Sequence, residues 1–414
     1  MIRRLFARRT MLLGAFLPMM TFSAIVRAQT DERDATISNL PRPGYEPRKL
    51  LLGSAVITPD ISLLTRYDDN VFASPNDRRS DVVFDLRSDV ALHRAAQGST
   101  VNAAAYAATR RYVHYDRENV TTFGVRASGS NRLGARGAVS ARTSFDRLFE
   151  RRSDPEAIVD PSRRPSLLDR IEAAIDVRSE GARFDLSANV TVVGLNYRRV
   201  QDDDRDLAIY QTSLRAGWRL REGMSLYVQP YANRRNARLE RDRGGVDRDA
   251  TTTGVLAGVS LGLADRLVGD VGVGAFHADP DDGELRSFDG LAFSGRLSWQ
   301  PRVRTSVRLQ GFRGDVATIR AGAIGRVDTR ASLIVEQEAH HDVIVKATIG
   351  LRNVHYRGTI DRDQRYLTVG AGARYLLNRT VALTLDGDWT KRGADFAPER
   401  FRRWQTSVGL ILTY

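Results

Sequence analysis

The sequence predicts an all-β fold, an antiparallel transmembrane β-barrel of about eighteen strands with sixteen as the alternative count, and three observations predict it. From Asp60 onward, runs of about ten to fifteen residues alternate apolar and polar side chains with a period of two, the signature of strands with one greasy face. Short turns alternate with longer charged links, as the two ends of an outer-membrane barrel require. All four tryptophans fall at strand ends.

The chain has 414 residues, 42% hydrophobic, with a mean hydropathy of −0.35, which excludes a multi-helix membrane protein. Its one long apolar stretch is at the start. "MIRRLFARR" supplies a basic head, "TMLLGAFLPMMTFSAIV" an apolar body, and Val26 and Ala28 have the spacing of a signal-peptidase site. Residues 1–28 are therefore expected to be a cleaved signal peptide, leaving a chain that begins at Gln29. Arg8 and Arg9 also resemble a twin-arginine export signal. That route carries folded cargo, so the general secretory route is expected instead. Residues 29–58 read as a periplasmic segment or plug, and 59–414 as the barrel.

The formal charge is +13; Arg3, Arg4, Arg8, Arg9 and Arg27 lie in the leader, so the exported chain carries 13 − 5 = +8. Lysine occurs only at Lys49, Lys346 and Lys391, so arginine carries the positive charge. For an exported protein this points to lipopolysaccharide phosphates or an acidic solute as the counter-anion, with no nucleic acid. The chain has no cysteine, which removes disulfides and thiol chemistry. No cofactor and no metal site is expected.

The strands follow in order. "DISLLTRYDDNVF" begins the wall. "DVVFDLRSDVALH" sets Val82, Phe84, Leu86, Val90 and Leu92 against Asp85, Arg87 and Asp89. "RIEAAIDVR" sets Ile171, Ala173, Ile175 and Val177 against Arg170, Glu172, Asp176 and Arg178. "ARFDLSANVTV" and "TVALTLDGDW" repeat the pattern. Short turns are expected near 94–98, 130–134, 179–182, 221–224, 264–266, 300–303, 339–342 and 377–380. Between them lie links such as "ERRSDPEAIVDPSRRPS", "VQDDDRD", "RDRGGVDRD", "DPDDGELRSFD" and "GTIDRD". An even strand number leaves both ends of the wall on the periplasmic side.

Trp218 and Trp299 precede short turns, while Trp389 and Trp404 flank "KRGADFAPERF". Such rings favour the membrane interface and are expected to form its girdle. The terminal "WQTSVGLILTY" presents Val408, Leu410, Leu412 and Tyr414 on one face. It resembles the end signal that the barrel-assembly machinery binds, and it must pair with the first strand, because an open edge in hydrocarbon leaves backbone groups unsatisfied.

Residues 41–74, "PRPGYEPRKLLLGSAVITPDISLLTRYDDNVFAS", resemble the amino-terminal signature of the outer-membrane β-barrel porin family of proteobacteria. The matching positions are Arg42, Pro43, Tyr45, Pro47, Gly53 and Pro59, then Tyr67, Asp68, Asp69, Asn70 and Phe72. The resemblance implies an outer-membrane barrel in a Gram-negative bacterium and specifies no cargo; some family members are associated with exopolysaccharide gene neighbourhoods. For "YDDN" two readings stand: the acids bind a cation or meet lumen arginines at the barrel seam, or they form a polar rim before "ASPNDRRSD".

Candidate chemistry is sparse. His114 and Asp116 in "YVHYD" would share a strand face, but no nucleophile or further acid accompanies them, and no G-x-S-x-G or H-E-x-x-H occurs. No enzyme is expected. "DPDDGE" and "QDDDRD" crowd carboxylates without calcium-loop spacing, so arginine pairing or bridging to lipopolysaccharide is expected of them.

The lumen carries more. Inward positions by parity are Arg126, Arg142, Arg170, Glu172, Arg178, Arg215, Arg219, Arg296, Arg308, Glu336, Lys346, Arg352, Arg374, Asp386 and Asp388, mostly basic, which requires a hydrated interior. Inward Gly254, Gly258, Gly262, Gly272, Gly274, Gly370 and Gly372 mark where the wall is thin or another element approaches closely, with "ERRSDPEAIVDPSRRPS" the longest loop able to fold inward. The expected function is a porin-like diffusion channel for small anionic or sugar-like solutes, in contact with outer-membrane lipid and lipopolysaccharide. The alternatives are an accessory barrel for exopolysaccharide export and a structural barrel with a blocked lumen.

Overall fold

The period-two pattern folds as a closed ring in a computed structural model, which describes residues 37, 40–158, 160–263, 266–359 and 361–414. The expected signal peptide lies outside the described residues. A three-residue strand, β1 (Leu50–Leu52), forms a hairpin with the start of the wall. The wall consists of β2 (Ala55–Asp68), β3 (Asp81–Ala96), β4 (Ser99–Tyr112), β5 (Val120–Leu133), β6 (Gly137–Phe149) and β7 (Leu167–Glu180). It continues through β8 (Phe184–Tyr197), β9 (Leu207–Arg221), β10 (Met224–Ala237), β11 (Ala250–Leu263), β12 (Leu267–Pro280) and β13 (Phe288–Arg302). It ends with β14 (Thr305–Val316), β15 (Ala323–His340), β16 (Val343–Gly358), β17 (Arg362–Leu376), β18 (Val381–Ala394) and β19 (Phe401–Thr413).

Each wall strand pairs antiparallel with its sequence neighbours, and β19 pairs with β2 from Gln405↔Asp68 to Thr413↔Asp60, which makes eighteen strands in a closed barrel. Closure leaves no exposed edge, the condition for crossing hydrocarbon. The shortest wall strand, β14, has 12 residues, above the about 9–11 that a tilted strand needs to span a bilayer. No described helix is long and apolar enough to cross a membrane.

The eight short connections close one end of the ring. Two of them, Gln97–Gly98 and Glu222–Gly223, are two-residue turns whose glycines take φ of 74° and 73°, a left-handed backbone that a side chain disfavours. The other end carries the longer links.

Burial is inverted relative to a soluble protein. Ile61, Leu63, Phe84, Leu86, Ile171, Ile175, Leu291, Leu351 and Val408 are exposed on the outer surface, while Arg235, Arg326 and Gln364 are buried. A belt of exposed apolar side chains around a polar interior is what lipid outside and water inside select. Trp218, Trp299 and Trp404 are exposed on this outer face, and Trp389 is in register with Trp404, with ring centroids 6.4 Å apart.

Candidate functional site: a loop-crossed, arginine-lined lumen

The longest link, 150–166, turns inward from the end of β6 and reaches the far side of the barrel. The Pro155 carbonyl accepts hydrogen bonds from Tyr356 Oη (3.0 Å), Gln364 Nε2 (3.1 Å) and Arg320 Nη2 (3.1 Å). Glu156 Oε1 accepts from Thr318 Oγ1 (2.5 Å) and the Ile319 amide (3.2 Å), and pairs with Arg326 (3.0 Å). Arg392 Nη1 donates to the Asp154 carbonyl at 3.2 Å. Because β6 stands nine strands from β15 in a ring of eighteen, these contacts span the lumen. The root of the loop is tied down separately, by Arg205 on Glu150 and by Arg152 on Glu118 at 2.7 Å.

Beneath and beside this loop lies a cavity of about 560 Å³. Eleven of its lining residues are arginine or lysine and four are aspartate or glutamate, so its wall is strongly basic. Neutral polar groups fill the gaps, among them Gln211, Ser213, Asn233, Gln310, Thr348 and Gln405.

Of the residues assigned inward by parity, Arg296, Arg308, Lys346 and Arg352 line this cavity. Arg308 pairs with Glu336 at 2.8 Å, and Arg352 holds Asp328 at 3.0 and 2.5 Å. Arg142 bridges Glu172 (3.4 Å) and Asp176 (2.9 Å), and Arg170 also binds Glu172. Arg126 donates to Asp146 at 3.3 Å, Arg178 pairs with Glu180 at 3.2 Å and Arg219 with Asp185 at 3.2 Å. Arg215 binds Asp270 and lies 3.6 Å over the Tyr227 ring. Arg374 is in register with Thr384, and Asp388 and Asp386 stand opposite Gly370 and Gly372. Arg126, Arg142, Arg219, Arg308 and Arg352 are thus matched by an acid on a neighbouring strand, Arg170 and Arg178 by one on their own strand, and Arg215 by one three strands along.

The "YDDN" stretch sits at the seam. Arg403 of β19 donates through Nε to Asp68 at 3.0 Å, and Gln405 Nε2 adds a bond of 2.9 Å. Asp69 accepts the Trp404 amide at 2.7 Å, and Asn70 Nδ2 donates to the Arg402 carbonyl at 2.9 Å. First and last strands are therefore clasped by side chains as well as by the ladder. Tyr67 faces outward, exposed, and Phe72 packs edge-on against Tyr115 with centroids 5.0 Å apart.

Two expectations are corrected. His114 does not meet Asp116: β4 ends at Tyr112, strand alternation stops there, and the His114 ring bonds Asp81 instead (2.9 Å), while Asp116 opens a short 3₁₀ turn. What approaches Gly254, Gly258 and Gly272 of β11 and β12 is not a loop. The rings of Tyr227 and Tyr231 lie over Gly254, Gly258 and Gly272, where a Cβ would collide with them.

The acid-rich loops are held by arginine. Arg234 grips Asp281 with two bonds of 2.7 Å, Arg163 holds Asp202 at 2.9 Å, and Arg238 holds Asp206 at 2.9 Å. The Arg234 hydrogen bonds keep Asp281 below the usual carboxylate range. Among the described residues, no group of three or more histidines and acids is placed to hold a metal ion.

Parity did not single out Arg66, Arg110 and Arg403, although all three alternate with other inward residues, and nothing in the loop sequence marked Arg151 as a lumen group. These four line the cavity together.

The family described as Putative beta-barrel porin 2 matches residues 42–414. The chain belongs to that family. It is accordingly an outer-membrane β-barrel, and the match covers the whole wall and residues 42–54 before it. No curated protein matches. Among solved structures it is similar to a ferric enterobactin receptor mutant from Pseudomonas aeruginosa (8% identity, TM-score 0.44, 86% of this chain and 81% of the other). It is also similar to the FrpB iron transporter of Neisseria meningitidis (10%, 0.44, 81% and 62%) and to OpdK of Pseudomonas aeruginosa (13%, 0.42, 86% and 99%).

Proposed function

We propose that this barrel is a passive diffusion channel of the Gram-negative outer membrane, favouring small anionic or sugar-like solutes, and that it performs no catalysis. The observation that carries the reading is the polar, arginine-rich cavity at the level where the 150–166 loop crosses. Barrels of this strand number are wide enough to hold water, and charged groups in such numbers require it. A wall with surplus cations raises the local concentration of anions and speeds their entry. The loop narrows the passage and sets arginines where a solute must pass.

A second reading has an observation of its own. Ile37 is fully buried, and its amide donates to Glu336 at 3.2 Å, inside the short-turn mouth. Arg42 pairs with Glu338 at 3.4 Å and bonds the Ile37 carbonyl at 2.7 Å. This segment fits either a blocked lumen or a docking point for a periplasmic export partner, the arrangement that an accessory exopolysaccharide barrel would use.

Swelling of proteoliposomes separates these readings. A channel admits glucose and admits glucuronate faster, whereas a blocked barrel admits neither. If deletion of residues 29–45 then opens a silent barrel, the blocked-lumen reading holds.

A further inference from the structure

Arg66, Arg110, Arg151 and Arg403 converge on the loop-end half of the cavity from β2, β4, the inward loop and β19. Three carboxylates accompany them. Asp85 is shared by Arg66 (2.8 Å) and Arg110 (2.6 Å), Asp68 is taken by Arg403, and Asp154 Oδ2 accepts the backbone amide of Arg151 at 2.8 Å. Four positive groups thus face three negative ones. The unmatched member is Arg151: among the described residues no carboxylate makes an ion pair with its guanidinium, and its Nε is buried without a hydrogen-bond partner. A buried donor left unmade is costly, and a charged one more so.

We infer that these four arginines form a binding site for the carboxylate of a monoanionic solute, with Arg151 as its centre. The chemistry follows from what the cluster already holds. Asp85 and Asp68 are each gripped by guanidinium N–H groups, a geometry that a planar carboxylate from solution reproduces at Arg151. One unmatched charge calls for one negative charge, so a carboxylate fits better than a phosphate dianion. Burial, followed by the neighbouring Arg110 and outweighing Asp154, holds the Arg151 pKa below its ordinary value, so a bound anion relieves an existing electrostatic cost. The inference deepens the channel reading and rests on it.

The test is equilibrium binding to the refolded full barrel in detergent micelles, independent of conduction, with glucuronate as probe and glucose and inorganic phosphate as comparisons. Heat-modifiable gel mobility confirms folding of each variant. Glucuronate is expected to bind more tightly than either comparison. Arg151→Gln should weaken its binding by about ten-fold or more, the worth of a charged hydrogen bond, with Arg151→Lys intermediate. Arg241→Gln, in an exposed loop, should leave binding unchanged. Equal binding of glucose, tighter binding of phosphate, or full binding by folded Arg151→Gln would each overturn the site. Arg151-dependent binding in a non-conducting barrel keeps the site and removes the channel, and conduction without that dependence does the reverse.

Discussion

Asp68 is the side chain on which barrel closure leans most. It is 1% exposed and takes three hydrogen bonds from Arg403 and one from Gln405, both on the last strand. Removing it strands a buried guanidinium, a change that typically costs about 3–5 kcal/mol. Asp68→Ala is therefore expected to lower the urea midpoint of the refolded barrel strongly. Asp69→Ala loses a pair with Arg78, which is 44% exposed, and one bond from the Trp404 amide, and should cost less, about 1–2 kcal/mol. Equal effects in urea titrations of the two variants would contradict the clasp. The sequence left the role of "YDDN" open between seam and rim because the deciding partner, Arg403, is 335 residues away. Local pattern identifies which face Asp68 occupies and cannot name what crosses to meet it. His114 failed for a related reason: strand parity was extended beyond Tyr112, where the strand ends.

At the scale of the element, the 150–166 loop is anchored by Glu156, which has three partners on the far wall and the adjacent link. Glu156→Ala should free the tip, and single-channel records should show a larger, noisier conductance; an unchanged trace would mean that Glu156 does not hold the constriction. A neighbouring clamp is pH-sensitive. Burial raises the Glu399 pKa, but the Arg320 ion pair and the Gln364 hydrogen bond outweigh it, and the net shift is downward. A carboxyl whose folded pKa lies below its unfolded value stabilises the fold above about pH 4.3, and that contribution is lost as pH falls through the folded value. Amide exchange in 317–322 should therefore accelerate below about pH 4 relative to other links, once corrected for intrinsic rates, and Glu399→Gln should abolish the difference. The inward fold of this loop was legible only as the option of greatest length. Its anchors, Tyr356, Gln364 and Arg326, lie on strands far along the chain.

For the whole molecule, strand number, turn positions and the outward aromatic face were readable because lipid and water impose a period of two on every strand. Arg126, Arg142, Arg308 and Arg352 all meet acids on adjacent strands, as their parity allows, and Arg215 reaches three strands along to Asp270. What parity does not supply is stoichiometry. Matched cations line the wall, and the surplus at Arg151 appears where strands distant in sequence and one loop converge. That surplus is the basis for the claim of an anion-favouring passage.

The most direct test is the reversal potential of the refolded barrel in a planar bilayer under a KCl gradient. Stable openings are expected, with a reversal potential of the sign for chloride preference that shifts toward zero in Arg151→Gln. A folded barrel that never opens, or one that prefers potassium, would contradict an anion-favouring passage.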